Sequence, residues 1–123
     1  MAGLSNTQRT LRALKEQGRV AAITEKWNQF AGPHGVRQDL FGFVDVLALD
    51  PQRGFVGVQC CSGSGFSAHW KKLTEERNQE VREWLSTPGG VVEIWAWRQL
   101  KVKRGGKAKR WEPRIVEVTL EDL

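Results

Sequence analysis

Apolar positions along the chain recur first at helical and then at strand spacing, and the change of period divides it into elements. Leu4, Leu11 and Leu14 fall on one stripe, which predicts a helix over residues 5–17. Asn6 or Thr7 is placed to cap its start and Gly18 to stop it. Residues 19–30, "RVAAITEKWNQF", read as a first strand, and "AGPHGVRQ" as a loop by its Gly and Pro content. "FVDVLALD" is a near-continuous apolar run of strand length, broken only by Asp45. The turn "DPQRG" and a second apolar run, "FVGVQCC", complete a β-hairpin. Both strands are apolar on both faces, so the sheet that holds them is expected to be covered on both sides.

After "SGSG", the residues Trp70, Leu73, Val81, Trp84 and Leu85 recur at helical spacing and predict one helix over 67–86, ended by "TPGG". "VVEIWAWRQLKVK" is a long strand with Trp95 and Trp97 on one face, and "RWEPRIVEVTL" returns antiparallel to it. The order is α-β-β-β-α-β-β. The strand–helix–strand passage places the fourth strand parallel to the third. The fold class is therefore α/β, a mixed sheet flanked by helices. No repeat or linker interrupts residues 1–123, which read as a single domain.

Composition changes the picture in three places. The net charge is +5, which favours an anionic partner, nucleic acid first. The charge is concentrated in "KVKRGGKAKR", where Lys101, Lys103, Arg104, Lys107, Lys109 and Arg110 flank a Gly105–Gly106 pair suited to a hairpin turn. This is either a phosphate-binding surface or a solvated hairpin tip. Cys60 and Cys61 are neighbours, so they point to opposite faces of a strand. They suit neither a mutual disulfide nor zinc, and two small apolar residues in a reducing compartment is the simpler reading. Most of the six tryptophans are expected in the core. No apolar run reaches the ~18 residues of a membrane span, and the polar N-terminus lacks a signal peptide's apolar centre, so a cytoplasmic protein without membrane contact is expected.

Candidate chemistry begins at Asp45. A carboxylate inside an apolar strand must be paired, metal-bound or exposed at a strand end. Arg37 or Arg53 would serve as a purely structural partner. In simple hairpin register Asp45 comes near Gln59, and Gln59 and Cys61 share a face two residues apart. Asp39, in "RQDLFG", competes with Asp45 as the relevant acid. His69 and Lys72, one helical turn apart, share a face, with Lys71 beside them. The "GSG" loop lacks P-loop spacing, yet its amides and hydroxyls, Ser64 among them, suit one phosphate.

With "VDVLAL" as the strand bearing an acid and "VGVQCC" as the next motif strand, the element order resembles the core of the PD-(D/E)XK nuclease superfamily over residues 5–98. The likeness is to its archaeal-type Holliday-junction resolvases and virus-type replication-repair nucleases. The resemblance implies a restriction-endonuclease-like fold and a phage or bacterial protein that cleaves DNA with Mg2+ or Mn2+, possible as a homodimer. Asp45 matches the family's metal-binding Asp. Gln59 stands at the second acid position and would be a further metal ligand. Cys61 stands where the family has lysine, a departure that leaves Lys72 or Lys71, on the following helix, to supply the charge. Glu25 lies near where some members place an additional acid, and His69 would act as base or phosphate contact. The basic hairpin, with Arg37 and Ser64, would hold the DNA backbone. Because Gln59 and Cys61 depart from the motif, a non-catalytic nucleic-acid-binding module on the same fold is a second reading. A protein-interaction module presenting exposed tryptophans is a third.

Overall fold

The computed structural model describes residues 3–123. Helix α1 is Asn6–Glu16. Its cap is Ser5 rather than Asn6 or Thr7: the Ser5 hydroxyl accepts from the Gln8 N–H while the Gln8 side chain accepts from the Ser5 N–H, a closed capping box. Gly18 stops the helix at positive φ, as expected.

The strands are β1 (Ala21–Ile23), β2 (Lys26–Asn28), β3 (Val36–Gln38), β4 (Val46–Asp50), β5 (Gly54–Ser62), β6 (Gly90–Lys101) and β7 (Lys109–Val118). Five form one sheet in the order β1-β4-β5-β6-β7, with β5 and β6 parallel and the other pairs antiparallel. This is the mixed α/β sheet expected. β7 is an edge strand, which accommodates Pro113.

The single first strand expected over 19–30 is not formed. Only Ala21–Ile23 pairs with β4. The Thr24 N–H and hydroxyl then donate to the carbonyls of Asp45 and Val44, each at 2.8 Å, which ends the pairing where β4 itself begins. The polar residues beyond turn away, and β2 pairs with β3 as a separate two-stranded arm, taking part of the expected loop into strand.

The helix expected over 67–86 is also broken. A 3-10 turn (Gly63–Gly65) leads into α2 (Phe66–Lys71). A wide π turn follows over Lys72–Glu76, and α3 is Asn78–Ser86. The Thr74 hydroxyl bonds the Trp70 carbonyl at 2.8 Å, and the Arg77 N–H reaches back five residues to Lys72. No helix among the described residues is long and apolar enough to cross a membrane.

The sheet is covered on both faces. Against α2 and α3 lie Phe43, Val44, Cys61, Leu73, Val81, Trp84, Val92 and Ile94. Trp84 anchors this layer, edge-on to Phe43 and Phe55 and seated on Gly57, where an added Cβ would press on the indole at 3.0 Å. Against α1 lie Leu14, Val46, Ala48, Val56, Val58, Cys60, Trp95 and Trp97. The two cysteines thus face opposite layers and burial raises both thiols, Cys61 to about 11. Trp84, Trp95 and Trp97 are buried and Trp70 half-buried, while Trp27 and Trp111 are exposed.

One buried polar contact pins α1 to the sheet: the Trp97 indole N–H donates to the Thr10 hydroxyl at 2.8 Å, and Thr10 in turn donates to the Asn6 carbonyl. Thr10→Val keeps the side-chain shape but strands the Trp97 donor in an apolar layer. We expect a loss of about 1–3 kcal/mol in urea unfolding with an unchanged m-value.

Candidate metal centre

Four backbone registers converge on Asp45. In the β4–β5 hairpin Val46 pairs with Val58, so one step further Asp45 stands opposite Gln59, as the sequence predicts. Its Oδ2 accepts from the Gln59 side-chain amide and from the Cys60 N–H, the latter at 2.8 Å. On the other side Thr24 is bonded to the Asp45 carbonyl, which brings Glu25 to the same place. The chain between Asp39 and Asp45 folds back on itself: Leu40 and Val44 exchange both backbone hydrogen bonds at 3.0 Å, so Asp39 and Asp45 flank the bridge. Finally, in the two-stranded arm Lys26 pairs with Gln38, and one step beyond that pair sets Glu25 opposite Asp39. Carboxylate oxygens of Glu25, Asp39 and Asp45 all lie within 4.8 Å of one another.

Asp45 is 4% exposed. Burial, with Asp39 pressed against it, pushes its carboxyl up to about 8, although the Cys60 and Gln59 donors act in the opposite direction. Asp39 goes the other way. Burial alone would raise it, but hydrogen bonds from Asp45 and Lys72, together with the Lys72 charge, hold it below the ordinary carboxylate value. The two carboxyls titrate as a coupled pair, with the proton held more firmly on the Asp45 side.

Lys72 enters from the first residue of the π turn, its Nζ 3.1 Å from Asp39 Oδ2. His69 is on the same face, as its spacing predicts. Burial first and then the Lys72 charge lower its pKa, so the ring is neutral at pH 7. Its Nδ1 is buried without a partner. Gln59 is 2% exposed and its Oε1 also has no partner, an orphaned carbonyl beside the acids.

Other candidates fall outside this centre. Lys71 is exposed on the outer side of α2. Cys61 is buried in the Trp84 layer, without the reach or charge of a lysine. Arg37 pairs with Glu25 at 3.1 Å and Arg53 with Asp50, Glu93 and Glu117, so neither arginine neutralises Asp45. Ser64 is exposed in the 3-10 turn, where its hydroxyl meets that of Ser62, which caps the turn through the Gly65 N–H. The set differs from the sequence reading chiefly by Asp39. That residue reads as a loop acid because Gly42 marks a turn there without showing that the turn brings Asp39 back beside Asp45.

Lys101, Lys103, Arg104, Lys107, Lys109 and Arg110 are all exposed on the β6–β7 hairpin, which turns through Gly105 at positive φ. Trp97 is level with Ser62, the last residue of β5. Lys101 is four residues further along and seven beyond Ile94, which is level with Gln59, so the cationic tip begins roughly 23 Å along the strand from the row that holds Asp45.

Comparison with protein-family models, with curated proteins and with solved structures finds no match to this chain. The chemistry must therefore be read from these residues alone. Three carboxylates form a hard oxygen set able to hold a divalent cation, while the Gln59 amide turns its NH2 toward Asp45.

The acids also predict a pH dependence. Asp45 holds a proton in the native state up to about pH 8, whereas in the unfolded chain it releases it near its ordinary value of about 4. The stability this group contributes is thus complete below about pH 4 and is lost as pH rises through about 8. We expect the melting temperature without metal to fall between about pH 5.5 and pH 8.5, and Asp45→Asn to flatten that fall. Manganese competes with the Asp45 proton, so its stabilising shift should be larger at the upper pH. Differential scanning calorimetry checks both.

Proposed function

We propose that this protein is a metal-dependent nuclease acting on DNA phosphodiester bonds, built on a restriction-endonuclease-like core. The observation that supports this most is the convergence, on one sheet end, of Glu25, Asp39, Asp45 and Lys72, with a cationic hairpin further out along the same sheet. In this reading Asp45, Asp39 and Glu25 hold Mg2+ or Mn2+, and Gln59 would add a neutral oxygen by turning its amide over from the Asp45 hydrogen bond. Such an ion, when bound, lowers the pKa of an attacking water and stabilises charge on the phosphate.

The chain's own residues supply the rest. Asp45 gives up its proton to become a ligand. Lys72, placed on Asp39 by the π turn, provides the ammonium that Cys61 lacks. Neutral His69, with a free ring nitrogen, can accept a proton. Lys101, Lys103, Arg104, Lys107, Lys109 and Arg110 hold the backbone without reading sequence.

A specific observation supports a second reading. The Lys72–Asp39 and Arg37–Glu25 pairs, with the proton favoured on Asp45, already neutralise the centre, which suits a non-catalytic DNA-binding module equally well.

The two are separated by incubating the protein with branched, single-stranded and duplex DNA, each with Mg2+ or Mn2+. The nuclease reading expects cleavage that Asp45→Asn and Lys72→Ala each reduce by a factor on the order of 100 or more. Cleavage undiminished in Asp45→Asn would refute it. Salt-sensitive binding without cleavage at any metal concentration would establish the binding module. In either case, replacing Lys103, Arg104 and Lys107 by Ala should weaken binding to all DNA forms alike and lower the slope of log affinity against log salt by about 1 per charge.

A further inference from the structure

The two-stranded arm of β2 and β3 is not accounted for by the metal centre, although it grows directly from it. Glu25 immediately precedes β2 and Asp39 immediately follows β3, so two of the three acids are the base of the arm. The arm presents aromatic side chains to solvent: Trp27 is 59% exposed and Phe30 88%. Neither contributes to either core layer.

The Trp27 ring and the backbone that carries Phe30 are nonetheless held in place. The Trp27 ring sits over Gly35, which has φ +87°, and any Cβ there would collide with the indole. Phe30 is held by its N–H, which donates to the Asn28 side chain at 3.0 Å. Between them lies an open groove of about 370 Å³ lined by Lys26, Trp27, Asn28, Gln29, Phe30 and Gln38. It therefore combines two aromatic surfaces, a cation and several amide donors and acceptors. Two strand steps separate Trp27 from Glu25, roughly 7 Å, about the length of two stacked nucleotides.

We propose that this groove binds unpaired bases of the DNA strand whose phosphate lies at the acids, with Trp27 and Phe30 as stacking platforms and Lys26 on the adjoining backbone. The inference deepens the nuclease reading by naming its substrate class: DNA with single-stranded character next to the scissile bond. A duplex keeps its bases inside the stack and offers the groove nothing to grip, whereas an unpaired base offers a π-face whatever its identity.

Binding is measured without cleavage, in EDTA, by fluorescence anisotropy of three labelled probes: a thymidine oligonucleotide, an abasic strand of equal length and charge, and a blunt duplex. The native protein is expected to bind the thymidine strand roughly 10- to 100-fold more tightly than the abasic strand. The Trp27→Ala/Phe30→Ala double variant should lose that difference while keeping its affinity for the abasic strand and the duplex. Trp27→Phe should restore most of it, and Phe30→Ala alone, altering a side chain free of the core, should lose part of it.

Equal affinity of the native protein for thymidine and abasic strands would overturn the proposal, as would an undiminished difference in the double variant. A double variant that loses affinity equally for all three probes would also overturn it. Because no step in this measurement requires catalysis, failure of the nuclease reading in the cleavage assay leaves this result standing, and the reverse holds as well.

Discussion

A carboxyl group buried at the end of an apolar strand, with no cation of its own, is the constraint on which the rest of this molecule turns. The same strand shows the contrast. At the far end of β4, Asp50 is buried too, but it caps the turn amides of Gln52 and Arg53 and is paired with Arg53 and Arg19, which hold its carboxyl below the ordinary range. Arg53 extends that network to Glu93 and Glu117 across the sheet. That end of the sheet is electrically closed. At the Asp45 end, among the described residues, the donors to the carboxyl are neutral, an amide side chain and a backbone N–H, and another acid lies against it. Such an arrangement is costly for a purely structural aspartate, since burial and a like charge both disfavour ionisation. Perturbed carboxyls of this kind concentrate at functional sites.

The supporting structure is consistent with that cost being retained. Phe41 sits at positive φ in the fold-back between Asp39 and Asp45, a conformation a bulky side chain rarely adopts. The π turn interrupts what would otherwise be a continuous helix at the residue that presents Lys72. Strain of this sort persists where the surroundings over-determine it. Here the edge-on contact of Phe41 with Trp84 and the burial of Leu73 beside Lys72 supply that determination.

The parts of this arrangement that follow local periodicity are legible in the sequence. The Asp45–Gln59 pairing follows from the β4–β5 hairpin, whose register is set by its turn. The shared face of His69 and Lys72 follows from helical spacing, and the opposed cysteines from strand alternation. The parts that depend on a break in periodicity are not. "RVAAITEKWNQF" reads as one strand because nothing local shows that Thr24 will find its partners in the carbonyls of Val44 and Asp45. The 67–86 segment reads as one helix because the Thr74 back-bond to Trp70 leaves the apolar spacing intact. Asp39 reads as a loop acid for a related reason: Gly42 marks a turn, but nothing local shows that the reversal through Phe41 and Gly42 folds Asp39 back beside Asp45.

The attachment of the arm has a thermodynamic meaning apart from the residues it displays. Its two strands leave the main sheet through Glu25 and Asp39, and Arg37, on the arm itself, is bonded to Glu25. The arm and the acid cluster therefore share their backbone anchors, and neither can shift without displacing ligating groups of the other. Two occupants of such a structure are linked by a coupling free energy, and linkage requires that coupling to be reciprocal. A ligand gripped by the arm would change the affinity of the acids for a cation by the same factor that the cation would change the grip of the arm.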